Sequence, residues 1–427
     1  MKYCLRLLGA LLFLGMVAWN GTAESAPPLD RVAAWRQDLQ AMRNALSGPS
    51  TIPQEDGPKT LHGQKDFARV YPPERFDASL REIEQEIPRL SDEEIALRLK
   101  QLMASAHVAH NAVFSGKPSF QKTLLLDLTW LADGVVVGGA SPEFADSIGS
   151  RIVRVGDQPV EEVLRALDPY ASYETEAWRR VRVVRMLQEQ AMLRHLDLLD
   201  EQGRVRLTLE SAEGKQNTLA VPFAPGPFAI LSPSEARREP APLAERHLQS
   251  YYWFETLFER HALYLQYNRC ANDPAHPMDS LVREITASLD AHPVQRTIVD
   301  LRWNEGGDSS ILQPLIEALK PRRQQTGKVY VLIGPHTFSS GLLNAMDLRK
   351  RLHARLVGEA TGGSLSGYGE VEYFRLPNSK LLVQYTTKYF RLKNRNASLE
   401  PDLPAVTTAQ SLRERRDVAL EAALAAR

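Results

Sequence analysis

The sequence predicts an α/β fold, because short apolar runs alternate with helical patterns through the second half of the chain. Three of these runs, at 298–301, 329–333 and 356–357, each end in a polar turn that is rich in glycine or small residues. Their length and apolar content are typical of buried parallel strands. Since the carboxyl ends of parallel strands meet at one edge of a sheet, where ligands usually bind, we expect the three turns to lie side by side.

The first 23 residues are typical of a secretory signal peptide. Lys2 and Arg6 precede an apolar run from Leu7 to Trp19, and Gly21 and Ala23 suit cleavage after Ala23. A retained membrane anchor is the alternative, but the run is shorter than the ~20 residues that a span requires. We therefore expect a periplasmic or secreted protein with no membrane span once the signal is removed.

Composition narrows the possible partners. The 52 Lys and Arg residues balance 52 Asp and Glu, and no basic patch indicates nucleic acid as a partner. With Cys4 lost in the signal, Cys270 is the only cysteine, so no intrachain disulfide can form. We expect Cys270 to be buried rather than an intermolecular thiol. The sequence has no metal-binding histidine spacing, phosphate loop or dinucleotide fingerprint, so we expect neither metal nor cofactor.

Residues 24–118 are predicted to form an N-terminal helical domain. Helical spacing covers 29–46, 76–87 and 92–106, while 48–62 is rich in Pro, Gly and Ser and is expected to be a loop.

Residues 119–222 resemble the core of a PDZ domain. Two strands are followed by a glycine turn, an apolar strand, a tight Gly156-Asp157 turn and a helix from Val160. A PDZ domain binds extended peptides by strand addition. A generic β-hairpin with a helix is the alternative, and a helical insertion at 170–199 departs from a compact PDZ domain.

A Pro-rich linker, assigned to 223–250, precedes a third domain at 251–427. Its predicted elements are a strand at 263–267, helices at 277–292, 310–319 and 340–352, and a hairpin formed by 370–376 and 380–388.

Four short sequence motifs in this domain resemble those of a known family: DLRWNEGG, TFSSG, GEATGG and LEPDL, in that order. Together they resemble the serine peptidases of the C-terminal processing (tail-specific) and tricorn family. The resemblance implies a ClpP/crotonase-like core of repeated ββα units, a PDZ-like module before it, and a polypeptide substrate. No Gly-x-Ser-x-Gly elbow is present, which disfavours an α/β-hydrolase.

Ser339 is the candidate nucleophile, because it lies between a predicted strand and helix, where the helix N-terminus favours developing negative charge. It could instead be an ordinary N-cap. Ser340 is the neighbouring alternative, and with Ser339 as nucleophile the Ser340 amide becomes an oxyanion donor. Gly306 or Gly307 would supply the second amide, and the sequence does not distinguish between them.

The sequence leaves the identity of the general base undecided. In the bacterial tail-specific enzymes a lysine stands 25 residues after the serine, but here Ser364 occupies that position. Lys388 could substitute from a nearby strand. The tricorn-like branch uses a histidine after a helix of the N-terminal domain, a position that His110 matches best and His107 second. A histidine has a suitable pKa for a base near neutral pH.

Resemblance to the same branch makes Glu400 the candidate that orients the imidazole, and Glu359 is the alternative. The function predicted from these residues is an exported serine endopeptidase that acts on unfolded chains or C-terminal tails. A non-catalytic binding protein on the same fold is the alternative, since loss of the lysine is expected of a degenerate site. An acyl-CoA enzyme would explain neither the serine turn nor the signal peptide.

Overall fold

The computed structural model describes residues 30–115, 122–226, 228–392 and 396–426. The predicted signal peptide lies outside these residues. Within the described ranges, no helix is both long enough and apolar enough to cross a membrane.

The N-terminal region is mainly helical. Its elements are α1 (Arg31–Ser47), β1 (Ser50–Ile52), β2 (Lys59–Leu61), α2 (Phe67–Val70), α3 (Pro73–Glu86), α4 (Asp92–Ala104) and β3 (Ala112–Phe114). A capping box between Ser91 and Glu94 starts α4. Residues 48–62, expected to be a loop, contain the β1–β2 hairpin, whose strands are too short to give an alternating sequence pattern.

The middle region is built on an antiparallel sheet in the order β10-β9-β7-β6-β5, with β8 paired to β7. Its elements are β4 (Lys122–Leu124), β5 (Leu126–Leu131), β6 (Gly134–Ala140), β7 (Arg151–Val155), β8 (Gln158–Pro159), α5 (Val160–Leu167), α6 (Glu176–Met186), α7 (Gln190–His195), β9 (Val205–Glu210), β10 (Gln216–Val221) and β11 (Phe223–Pro225). The insertion predicted at 170–199 contains α6 and α7.

The third region confirms the mixed α/β prediction. After α8 (Pro233–Arg237) come β12 (Tyr252–Leu257), β13 (Ala262–Tyr267), α9 (Met278–Ala291), β14 (Arg296–Asp300), α10 (Gln313–Leu319), α11 (Arg323–Thr326), β15 (Lys328–Ile333), α12 (Ser340–Leu352), β16 (Arg355–Gly358), β17 (Ser366–Arg375), β18 (Leu382–Arg391), β19 (Leu403–Pro404), α13 (Ala409–Arg413) and α14 (Val418–Ala425). The sheet order is β12-β13-β14-β15-β16-β19, parallel except for β12.

Helices cover both faces of this sheet. Apolar residues of α9, α10 and α12 form one core with β13, β14 and β15. Leu420 and Ala423 of α14 pack on the opposite face against Tyr264 and Tyr330. The strands are therefore buried on both sides, which explains their continuous apolar runs.

The β17–β18 hairpin leaves the third region and completes the core of the first. Tyr368, Phe374 and Tyr385 are buried among residues of α1, α3 and α4, and β18 pairs with β3. Asp38 of α1 accepts hydrogen bonds from the hairpin turn, at 2.8 Å from the Asn378 amide.

A buried ion network joins the end of β14 to the start of α14. The Arg302 guanidinium contacts Asp300 and Asp417, each at 2.7 Å. Both carboxylates are largely buried, and Tyr264 donates a further hydrogen bond to Asp300. The pairing of Asp300 with Arg302 gives these two residues a structural role.

Replacement of Arg302 by Met should therefore lower the free energy of unfolding by about 3–5 kcal/mol, because two buried carboxylates lose their cation. Urea denaturation measures this directly. Arg416→Met is the matched control, since Arg416 pairs with Glu421 at an exposed position and its loss should cost under about 1 kcal/mol. Equal effects of the two substitutions would contradict this account.

Candidate active site

Ser339 lies between β15 and α12 in a conformation that is unusual for a residue with a side chain. Its φ of 51° and ψ of −124° place it in the left-handed half of the Ramachandran plot. Its side chain makes no capping hydrogen bond to the first turn of α12. Such strain costs of order 1–3 kcal/mol and persists only where the surroundings impose it. An ordinary N-cap role, the alternative for this serine, is therefore not realised in the structure.

Hydrogen bonds from Thr337 and Phe338 impose this conformation. The Thr337 hydroxyl donates to the Leu301 carbonyl at 2.9 Å and accepts from the Gly334 amide at 3.0 Å. The Phe338 amide donates to the Asn304 carbonyl at 3.0 Å. The serine turn is thus tied to the turn that follows β14.

Gly306 lies directly against the serine. A Cβ atom at Gly306, where φ is +111°, would lie 2.8 Å from the Ser339 Cβ. The Gly306 amide is already engaged, because it donates to Asn304 Oδ1 at 3.0 Å. The amide of Gly307 has no acceptor within the described residues, and that of Ser340 starts α12, where a helix amide has no intrahelical partner.

Asn304 organises this region, and the sequence analysis did not identify it. The residue is fully buried. Its Nδ2 donates to the Tyr267 carbonyl at 2.9 Å, while its Oδ1 also accepts from the Cys270 thiol at 3.2 Å. Cys270 is buried as predicted, and burial raises the pKa of its thiol to about 12. The only signal in the sequence was the position of Asn304 inside DLRWNEGG.

His110 lies next to the serine turn. Its ring is 4.5 Å from the ring of Phe338, which stacks in turn on Trp178 at 4.0 Å. The residue is partly exposed, but both ring nitrogens are buried and make no hydrogen bond of normal geometry within the described residues. They therefore contact neither Ser339 nor Glu400 by a hydrogen bond.

Burial lowers the pKa of His110 to about 4, and a backbone group of Tyr368 near the ring offsets this effect only in part. The imidazole is consequently neutral near pH 7, which is the form that accepts a proton.

The other predicted acids and the alternative histidine lie around this cluster. His107 is exposed, with its ring centroid 6.1 Å from that of Tyr173. Glu400 is exposed and makes no hydrogen bond or ion pair in the parts of the chain that are described. It follows Leu399, which pairs with Thr361 of the GEATGG turn. Glu359 accepts a hydrogen bond from the Thr407 amide at 3.1 Å.

The two residues considered in place of the absent lysine dyad are engaged elsewhere. The Ser364 hydroxyl donates to the Ser366 carbonyl at 2.9 Å. Lys388 is half-exposed on β18 and forms an ion pair with Glu370 at 3.0 Å.

Helix α6 crosses the edge of the sheet where the three turns meet, a contact that the sequence did not reveal. Arg185 pairs with Glu305, which also bonds His336 at 2.8 Å. Burial alone would raise the pKa of Glu305, but Arg185 and His336 hold it well below its ordinary value. At the other end of α6, the Thr175 hydroxyl donates to the Gly362 carbonyl at 2.7 Å. The helix thereby contacts all three turns.

Comparison with known proteins agrees with this geometry. Residues 313–405, which include Ser339 and the GEATGG turn, match the model of the family described as Peptidase family S41. The structure of mature CPAF complexed with lactacystin is similar, with a TM-score of 0.61 and 14% identity over 90% of this chain and 96% of that chain. A mutant form of CPAF matches with a TM-score of 0.62 and 14% identity over 90% and 95% of the two chains.

The photosystem II D1 C-terminal processing protease matches with a TM-score of 0.41 and 13% identity, over 88% of this chain and 93% of that chain. No curated protein sequence matches this chain. The match over residues 313–405 confirms the resemblance to the tail-specific and tricorn-like serine peptidases that the sequence shows, and it indicates a serine-type hydrolase with a polypeptide substrate.

Gly306→Ala should abolish peptidase activity, because the new methyl group would collide with the Ser339 side chain. The control is Gly57→Ala. Gly57 has nearly the same φ, +114°, but nothing lies within 4 Å of its Cβ position. Both variants should lose stability from backbone strain, Gly306→Ala more because of the added collision, whereas only Gly306→Ala should lose activity, by about 100-fold or more. Peptide hydrolysis and thermal unfolding measure the two effects, and full activity of Gly306→Ala would contradict the placement of the site.

His110 should make stability depend on pH. Its pKa is about 4 in the folded chain and ~6.5 when unfolded, so the unfolded state binds the extra proton between these values. Stability is therefore complete above pH ~6.5 and falls by on the order of 2 kcal/mol as pH drops towards 4. Urea unfolding at several pH values should show a shallower slope for His110→Gln than for the wild type. The exposed His292 gives the control, since His292→Gln should keep the wild-type slope.

Proposed function

We propose that the protein is an exported serine endopeptidase that cleaves unfolded proteins or C-terminal tails through an acyl-enzyme on Ser339. The observation that supports this most is the strained backbone of Ser339. Its hydroxyl makes no capping hydrogen bond to the helix, and its side chain lies where a Cβ on Gly306 would collide with it. A serine that serves only as a cap would have no need of this conformation.

The proposed reaction begins with attack of the Ser339 Oγ on the substrate carbonyl carbon. The carbonyl oxygen becomes an oxyanion that accepts hydrogen bonds from the Gly307 and Ser340 amides. We choose Gly307 over Gly306 because the Gly306 amide already has an acceptor. The leaving amine departs with a proton, and water then hydrolyses the serine ester and restores the free hydroxyl.

His110 is proposed as the base that takes the serine proton and passes it to the leaving amine. Its neutral imidazole is in the correct state, but its ring packs against Phe338 and its nitrogens make no hydrogen bond to Ser339, so the ring must reorient. Substrate binding commonly tightens catalytic hydrogen bonds of this kind. Glu400 is proposed to orient the ring in that state. Lys388 is a weaker candidate because Glu370 holds it.

The domain roles belong to the same proposal. A ClpP/crotonase-like core at 251–427 carries the serine, and the helical domain at 24–118 contributes His110 to the same site from across a cleft. The PDZ-like module at 119–222 helps to present the substrate, with 223–250 as linker. The predicted signal peptide at 1–23 directs the chain to the periplasm or outside the cell.

One observation favours a second candidate, a non-catalytic peptide-binding protein on the same fold. Neither nitrogen of His110 makes a hydrogen bond of normal geometry to the serine or to another group within the described ranges. If the ring never turns, Ser339 has no base.

Ser339→Ala separates these candidates. The purified wild type and variant are incubated with unstructured peptides, and the products are read by mass spectrometry. The wild type should cleave, and the variant should lose at least about 1,000-fold in rate. Ser340→Ala should lose only about tenfold, because its hydroxyl merely bonds the Gly307 carbonyl.

Three outcomes of this experiment lead elsewhere. Equal cleavage by wild type and Ser339→Ala would mean that another residue is the nucleophile. Absence of cleavage by both proteins would favour the non-catalytic peptide-binding protein. Cuts only in the interior of long peptides would exclude a preference for C-terminal tails.

A further inference from the structure

The active-site face of α6 carries an arginine, Arg182, that has no counter-ion among the described residues. Arg182 is four residues after Trp178 and three before Arg185, so the three side chains share one face of the helix. Trp178 lies against Phe338 and Arg185 against Glu305, which places this face on the turns that hold Ser339 and Gly306. Because an α-helix rises about 1.5 Å per residue, Arg182 lies about 6 Å along the helix axis from Trp178.

Arg182 makes no hydrogen bond or ion pair within the described residues, and its Nε is buried without an acceptor. The other arginines of α6 are all paired: Arg179 with Asp168, Arg180 with Glu176, and Arg185 with Glu305. Burial, followed by the neighbouring charge of Arg185, lowers the pKa of Arg182 to about 10. A largely buried cation is costly to leave unpaired.

Two carboxylates are close enough to influence Arg182 electrostatically, but both are held by other groups. Glu189 pairs with Lys100 at 2.7 Å. Glu305 is shared by Arg185 and His336. Neither of these carboxylates is therefore free to pair with Arg182.

We propose that Arg182 is a substrate-binding residue that receives a carboxylate of the polypeptide a few residues from the cleaved bond. The planar guanidinium presents paired N–H donors that match a carboxylate. The carboxylate is either the C-terminal group of the substrate or an Asp or Glu side chain, and the chemistry of recognition is the same for both. This inference rests on the proposed peptidase function, since it needs peptide in the cleft beside Ser339.

The test measures binding and cleavage separately. A short unstructured peptide is made in four forms, with a free or amidated C-terminus and with Glu or Gln near its centre, and cleavage of each form by the wild type is measured separately. Binding of fluorescent versions to the Ser339→Ala protein is followed by anisotropy. We expect one carboxylate to tighten binding by about tenfold or more, and the two pairs of peptides identify which.

Arg182→Gln in the Ser339→Ala background should bind the charged and neutral forms equally, whereas Arg182→Lys should keep part of the preference. Arg180→Gln, which alters the opposite side of the same helix, should keep all of it. Thermal unfolding of each variant checks that the fold survives. A carboxylate preference that persists in Arg182→Gln, or no preference in the parent protein, would overturn the proposal.

These results are separable from the proposed function. Cleavage by the wild type without any carboxylate preference would leave the peptidase intact and remove the role of Arg182. An Arg182-dependent preference in a protein that cuts nothing would keep the binding site and remove the peptidase. If no form of the peptide is bound or cut, both are wrong.

Discussion

The geometry of the site depends on one buried side chain, that of Asn304. Its amide group holds the end of β13 and fixes the Gly306 amide, while its backbone carbonyl receives the amide of Phe338. Each of these groups would otherwise be a buried polar atom without a partner, which is expensive in a low-dielectric interior. The turns after β14 and β15 therefore cannot shift independently. Close packing strengthens the link, since a Cβ on Gly341 would lie 2.3 Å from the Asn304 carbonyl oxygen.

The elements that could be predicted are those encoded by neighbouring residues. Continuous apolar runs gave β14, β15 and β16, and the glycine-rich ends of these runs gave the three turns. Helix α12 begins and ends where its sequence pattern does, at Ser340 and Leu352. Both signals are local: burial on two faces makes a strand uniformly apolar, and glycine is needed where φ is positive. The candidate serine could be named for the same reason.

Features that depend on distant contacts could not be predicted. The choice between Gly306 and Gly307 rests on a hydrogen bond to Asn304 that exists only in the folded chain. The position of α6 against the serine turn depends on packing between Trp178 and Phe338. The state of His110 is decided by burial of its ring nitrogens rather than by its place after α4. In each case the sequence indicates a residue type, and tertiary packing decides what that residue does.

The β17–β18 hairpin has a consequence for how the chain is made. The turn of this hairpin and Asp38 are separated by 340 residues, yet they are joined by hydrogen bonds. Helices α1, α3 and α4 are made before the hairpin, and the apolar surface that they share with Tyr368, Phe374 and Tyr385 stays exposed until the hairpin arrives. Closing so long a loop is slow, and until it closes the exposed apolar surface can promote aggregation. The helical region is thus made before the hairpin but finishes folding only with it, and this region cannot be cut away as an independent unit.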